Sequence, residues 1–305
     1  MQRMSRRVEA PTSRRGGRAV RRVGLALLML AIAIVGVGVG VGVGVEPWSG
    51  SDERVQGPSS FGADGSGRVG VPPDVDLRPS GPLEVTQAGA VVAGLDVAGT
   101  IQVRADDVTI RNTRAMSINT GGNDGSGMEF RGTVIEDVTV DGRGVSAMGI
   151  DGLNFTARRV EVLNTKNGFR LFTDSTVEDS LVHHLFADQG DHTSGIGSNG
   201  GSDLIIRRNR VDCGRVPQCS GALVLYPQPT QTRVVVEDNH LDGGGYCLYA
   251  PDHSAQDVHI VDNRFGRRAY PHCGAFGPIG SGLGQGAGNI WRGNTWLDTG
   301  EPLPR

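Results

Sequence analysis

Leu204-Ile-Ile-Arg-Arg-Asn209-Arg-Val211 decides how this chain folds. It reads apolar-x-apolar-x-x-Asn-x-apolar. The phrase returns as Val234-x-Val236-x-x-Asn239-x-Leu241 and as Val258-x-Ile260-x-x-Asn263-x-Phe265. Earlier copies follow the same frame: Val108, Ile110, Thr113 and Ala115; Thr133, Ile135, Val138 and Val140; Phe155, Ala157, Val160 and Val162; Ser175, Val177, Ser180 and Val182. A last copy is Asn289, Trp291, Asn294 and Trp296. The anchor therefore falls at 113, 138, 160, 180, 209, 239, 263 and 294, at intervals of 20 to 31 residues.

Apolar residues two apart belong to a strand with one buried face. The step of three to the Asn breaks the alternation, so the strand bends there. Asn tolerates left-handed or bridge-region backbone and bonds nearby backbone, which suits a bend. Asn side chains at one place on successive coils can also bond one another. Val, Ile and Thr dominate the repeats, and Gly or Asn interrupts them too often for a helix. One such unit cannot bury its own apolar side, but a stack of them can. The expectation is an all-β, single-stranded parallel β-helix of about eight or nine coils, a rod on the order of 40 Å long at roughly 4.8 Å per coil.

Five stretches carry a resemblance: Val108-Thr-Ile-Arg-Asn-Thr113, Gly200-Gly-Ser-Asp-Leu-Ile-Ile-Arg-Arg-Asn209, Gly243-Gly-Gly-Tyr246, Asp262-Asn-Arg-Phe-Gly266 and Trp296-Leu-Asp-Thr-Gly300. They resemble the right-handed parallel β-helix of the pectin-lyase-like superfamily, and more closely a group of secreted bacterial β-helix proteins with no settled activity. The likeness runs from about Phe61 to Gly300. It implies a right-handed coil. It leaves activity open, since the superfamily includes lyases, hydrolases, epimerases and non-enzymes.

Outside the repeats, the chain divides by composition. Residues 1–22 hold eight Arg and one acid, Glu9, and Val23 to Val45 carry no charge. Such a span is long enough to cross a bilayer, and the Arg cluster sets the N-terminus inside. A signal-anchor over 23–45 is favoured over a cleaved signal peptide, because no Ala-x-Ala site closes the segment. Residues 46–80 are rich in Gly, Ser and Pro and read as a flexible linker. The β-helix domain is placed at 81–300, with Val91, Leu95, Val97, Ile101 and Val103 in a first, capping turn and 301–305 as a tail.

The chain sums to −3, and residues 46–305 alone sum to −10 once the eight Arg and Glu9 are removed. The only Lys is Lys166. That balance argues against nucleic acid, which rewards clustered Lys and Arg. Cys213, Cys219, Cys247 and Cys273 lie in the exported part, where disulfides persist. Four Cys allow three pairings. Cys213–Cys219 and Cys247–Cys273 are favoured over a zinc site, since no Cys-x-x-Cys occurs.

Long intervals place long turns in the central and C-terminal coils, and the resemblance implies that any chemistry sits in a groove beside such turns. His183-His-Leu-Phe-Ala-Asp188-Gln-Gly-Asp191-His192 concentrates acids and imidazoles that suit acid/base work or calcium binding at Asp188 and Asp191. Lys166, Asn167 and Arg170 lie one coil earlier; the resemblance to β-helix lyases, which use an Arg or Lys base, implies a catalytic set of Arg170 with Asp188, Asp191 and His192. If Leu171 points in, Arg170 and Phe172 point out together. Tyr226, Tyr246, Tyr249 and His253, with Lys166, are the candidate substrate contacts, because aromatic rings stack on sugar faces. Trp291 and Trp296 read as core or end cap.

The resemblance bears on this stretch too. Members of the secreted group show His-x-Asp-Gly-Ile-Gln where this chain has His192-Thr-Ser194-Gly-Ile-Gly197. The motifs of polygalacturonase-like, pectate-lyase-like and epimerase-like relatives are missing. So are a Walker loop, a nucleophile elbow and a His-Glu-x-x-His pair. The expected function is carbohydrate-directed, either polysaccharide lyase-like or glycan-binding, in a membrane-anchored or secreted monomer. The alternative is a non-catalytic cell-surface module.

Overall fold

Each copy of the phrase forms one turn of a parallel-stranded winding. The computed structural model describes residues 67–304, apart from 123–127, 227–229, 252–253, 282 and 285. These residues belong to the second of two compact units, Val55–Arg305. They form strands, turns and irregular backbone. The expected helix at 23–45 and most of the 46–80 segment lie outside them.

The first half of each phrase enters a nine-stranded parallel sheet. Its strands, in spatial order, are Val91–Ala93, Thr109–Arg111, Thr133–Glu136, Phe155–Arg158, Ser175–Glu178, Gly201–Arg207, Gln231–Glu237, Gln256–Val261 and Ile290–Arg292. They are numbered here as coils 1 to 9. The second half of each phrase enters a fifteen-stranded sheet with two arms. In coils 1 to 4 one bent strand serves both arms, as in Glu161–Leu171. From coil 5 onward the arms separate. Leu181–His183, Arg210–Asp212, His240–Asp242 and Arg264–Phe265 form the first arm. Thr193–Ser198, Cys219–Leu225, Tyr246–Tyr249 and Gly277–Gly280 form the second. Paired strands are parallel throughout both sheets, as a chain wound one way round a single core requires. This architecture is consistent with a parallel β-helix.

The frame marks the core faithfully. In the first seven copies all four framed positions are at most 2% exposed. The anchors also bond one another. Asn209 Nδ2 donates to Asn239 Oδ1, Asn239 Nδ2 to Asn263 Oδ1, and Asn263 Nδ2 to Asn294 Oδ1, each at 3.0 Å. Each acceptor also takes the backbone N–H of the anchor before it, at 3.0 Å. Ser180 continues the column by donating its N–H to Asn209 Oδ1. These bonds satisfy main-chain donors that the bend removes from the sheet ladder.

The bend itself sits one residue before the anchor, not on it. Gly94, Asn112, Asp137, Arg159, Asp179, Arg208, Asp238, Asp262 and Gly293 hold left-handed backbone there. A matching column lies five residues upstream: Gly89, Asp107, Gly132, Asn154, Asp174, Asp203, Arg233, Asp257 and Gly288. All of these φ angles fall between 46° and 79°. Every coil thus encloses its strand between two left-handed corners of fixed spacing. Asn, Asp and Gly suit that conformation; Arg does not. Each of the three Arg is clamped through two nitrogens onto the left-handed Asp of the preceding coil. The pairs are Arg159 on Asp137, Arg208 on Asp179 and Arg233 on Asp203, at 2.6–2.8 Å.

Val91, expected inside the first turn, is 58% exposed, and its neighbour Val92 faces the core. The reason is register, since Val91 lies beside Thr109 and Val92 beside the buried Ile110. Arg78–Ser80 and Leu83–Val85 pair with Leu95–Val103 and extend the stack below residue 81. Further back, Gly70 N–H donates to Arg159 O and Val71 N–H to Thr139 Oγ1. At the other end the tail turns back over coil 9. Leu303 is 4% exposed, its N–H donates to Asn294 O, and its carbonyl accepts Trp291 Nε1–H at 3.3 Å. Trp291 and Trp296 pack against the core as part of this cap.

Candidate functional site

The two arms of the larger sheet are joined by loops of unequal length. These are 184–192 in coil 5, 213–218 in coil 6, 243–245 in coil 7 and 266–276 in coil 8. Together they wall a cleft of about 360 Å³ against the second arm, with Asp191, His192, Gln218, Ser220, Tyr246, Tyr249 and Phe276 among its lining residues. Both disulfides are present and border it. Cys213–Cys219 closes the coil 6 loop, and Cys247–Cys273 ties the coil 8 loop to the strand below it. Loops fixed this way hold a shape with little secondary structure of their own.

Tyr246, Tyr249 and Phe276 line the cleft, and Tyr226 adjoins Tyr249 beyond that lining. Phe276 to Tyr246 is 5.8 Å between centroids, Tyr246 to Tyr249 is 5.9 Å, and Tyr249 to Tyr226 is 5.9 Å. Phe276 is 78% exposed, an unusual position for a Phe with no further role. The three Tyr are candidate contacts expected from the sequence, near two adjacent coils; Phe276 lies in a Gly-rich loop outside the repeat frame, where no spacing marks it. His253, the fourth member of that group, lies outside the described residues.

The structure regroups the charged candidates. Arg170 donates through Nε and Nη2 to the two carboxylate oxygens of Asp151, at 2.7 and 2.6 Å. Asp151 is its neighbour in register one coil earlier and is 5% exposed. Lys166, not Arg170, holds the two acids of the coil 5 loop: its Nζ lies 2.6 Å from Asp188 Oδ2 and 2.8 Å from Asp191 Oδ2. Asp188 N–H also donates to Asp191 Oδ2. The bonds to Asp188 and Asp191 push the Lys166 pKa up. The Lys166 bond, with the Asp188 N–H, pulls the Asp191 carboxyl down. Lys166 is thus held protonated and Asp191 ionised near neutral pH, which withdraws this lysine as a base. Leu171 is buried, and Arg170 stands over the Phe172 ring at 6.0 Å, so these two do share the outer face.

The four-membered set of Arg170, Asp188, Asp191 and His192 is therefore split. Arg170 belongs to a polar column on the outer face, in which Gln102 donates to Asn119 and Asn119 to Asp151. Asp191 and His192 belong to the cleft wall. As for calcium, Asp188 and Asp191 are occupied by Lys166, and among the described residues no group of three or more His, Cys, Asp or Glu is placed to hold a metal. The two positions that depart from the secreted group's motif meet each other, since a side chain on Gly197 would strike Ser194 Oγ at 2.5 Å. Ser194 N–H and Oγ both reach Asn167 Oδ1.

No protein-family model matches the chain, and neither a curated protein nor a solved structure matches it. Among the described residues no helix is long and apolar enough to cross a membrane.

Proposed function

We propose that the domain binds glycan in the cleft between its arms, and that the winding is a right-handed β-helix of the pectin-lyase-like kind. The observation that carries the binding reading is the unbroken series Tyr226, Tyr249, Tyr246 and Phe276. Ring faces at these intervals offer stacking to several sugars in succession, while Gln218, Ser220 and His192 supply polar contacts at the rim. Burial of the two disulfides fits a domain folded outside the cytoplasm. Residues 23–45 would hold it at the membrane.

A second reading, polysaccharide lyase, is favoured by one observation. His192 lines the cleft with no hydrogen bond to a described side chain, and the ionised Asp191 lies next to it. An imidazole so placed is available for proton transfer. One experiment separates the two. The protein is titrated with a panel of neutral and uronate oligosaccharides, and each mixture is followed for the ultraviolet absorbance of unsaturated products. Binding without turnover, weakened about tenfold by Tyr249→Ala, is the expected result. Turnover abolished by His192→Ala with binding intact establishes the lyase. Absence of binding across the panel removes the carbohydrate reading.

A further inference from the structure

The outer face of the nine-stranded sheet is regular, and it lies apart from the cleft. Two columns of side chains point out from it. One is β-branched over most of its length and includes Thr109, Val134, Thr156, Thr176, Ile205 and Val235 in register. The other is charged. From coil 2 to coil 7 it reads Arg111, Glu136, Arg158, Glu178, Arg207 and Glu237, alternating without a break. Ala93 in coil 1 and Val261 in coil 8 close the series with apolar residues.

This charge series is its own complement when reversed. Turn a second copy over about an axis parallel to the strands, set between coils 4 and 5. Arg158 then faces Glu178, Glu136 faces Arg207, Arg111 faces Glu237, and Ala93 faces Val261. The β-branched column matches under the same operation, with Val134 over Ile205 and Thr156 over Thr176. Even the corner column agrees, since Arg159 meets Asp179 and Asp137 meets Arg208. No like charges meet in any of these pairs.

Alternation alone would also arise from pairing within one sheet. Within this sheet it is used unevenly. Glu178 holds Arg207 and Arg208, and Glu136 reaches Arg159. Arg111 and Glu237 make no side-chain hydrogen bond or ion pair with a described residue, and Arg158 Nε is buried without a partner. The unpaired cation and anion at the two ends are the ones the turned copy brings together, and Arg158 lies beside the axis. The facing rectangle is roughly 38 Å by 16 Å, so both copies together lose on the order of 1,200 Å² of surface, the lower bound for a specific interface.

We infer that this face joins two copies of the chain, antiparallel and face to face, in a dimer of modest affinity. This departs from the monomer expected from the sequence, and it does not depend on the carbohydrate reading. The geometry leaves both clefts open to solvent on other faces of their rods.

Sedimentation of the full-length chain over a concentration series tests the inference. A monomer–dimer equilibrium weakened by added salt is expected, with Glu237→Arg loosening it at least tenfold. The decisive variant is the exchange Arg111→Glu/Glu237→Arg. Between copies it restores both contacts and returns the affinity to within a few-fold of the parent. Within one copy it places like charges beside Glu136 and Arg207, so a role confined to the single sheet predicts no recovery. Thermal midpoints of all variants confirm that they fold. A monomer at all concentrations, association indifferent to Glu237→Arg, or an exchange no better than the single change would each overturn the dimer.

Discussion

The nine-stranded sheet and the seam between the two arms solve different problems. On the sheet, every coil places its two left-handed corners five residues apart, from Gly89 and Gly94 to Gly288 and Gly293. Across the seam, coils 5 to 8 use loops of 9, 6, 3 and 11 residues. The sheet is constrained at each position by the coil before and after it. A corner must be left-handed, an anchor must be buried, and an extra residue would turn the strand inside out. The seam has no such repeat to keep. Its loops vary at little cost, and aromatic and charged side chains can gather there without disturbing the core.

Breaking the regular side should therefore do the most damage. Asn239→Leu removes the acceptor of the Asn209 N–H and the donor to Ile206 O, both buried. Two orphaned main-chain groups in a dry core cost roughly 3–5 kcal/mol, a fall on the order of 10 °C in the thermal midpoint. Differential scanning calorimetry measures it, and a shift below a few degrees would show that water or relaxation satisfies those groups. The seam depends on its disulfides instead. Cys247→Ser/Cys273→Ser opens a loop of separation 26, worth about 3.5 kcal/mol in loop entropy, against about 2.4 for Cys213→Ser/Cys219→Ser with separation 6. If the order of the two midpoints is reversed, chain entropy is not what these bridges supply.

The corners give a smaller effect. Asp238 is left-handed and lies just before the Asn239 anchor. Asp238→Val forces a β-branched residue into that conformation and should cost about 1–2 kcal/mol, while Asp238→Gly should be nearly neutral. Equal losses in urea titration would mean that the Asp238 carboxylate, which lies 3.5 Å from Arg264, matters more than its backbone.

The same contrast governs what could be read from sequence. The strand phrase was legible because burial acts at single positions, and it carried the anchors, the stacked Asn and the end cap at Trp291. The corners were half legible. Asp and Asn mark them, but Arg159, Arg208 and Arg233 do not, since their conformation is held by an Asp 22 to 30 residues away. At the site, Tyr246 and Tyr249 were legible because a strand keeps them two coils from Asp191 and next to Tyr226. The partners of Arg170 and Lys166 were not. Closeness in sequence joined Arg170 to the acids of the next loop, whereas register gave it Asp151, 19 residues earlier.

The smallest expected effect is a dependence on pH that belongs to the arm side. Burial, then His183 and Arg268, lower the His184 pKa. Burial, then Arg264, lower that of His240, with Asp238 opposing and Arg210 adding to the fall. A histidine whose folded pKa lies below about 6.5 binds fewer protons folded than unfolded. Its contribution to stability is complete above that pH and is lost as pH falls through the folded value. Asp242, raised chiefly by burial, has the opposite sign and acts lower, above about 3.8. Cooling of the thermal midpoint should therefore begin as pH drops below about 6.5, and His240→Gln should remove part of the slope. Hydrogen exchange localises it: amides of Arg210–Asp212 and His240–Asp242 should lose protection at acid pH before those of Val234–Val236 do. Equal loss in both places would mean that the two sides of each coil open together, and that the division between a rigid sheet and an adaptable seam is one of sequence rather than of stability.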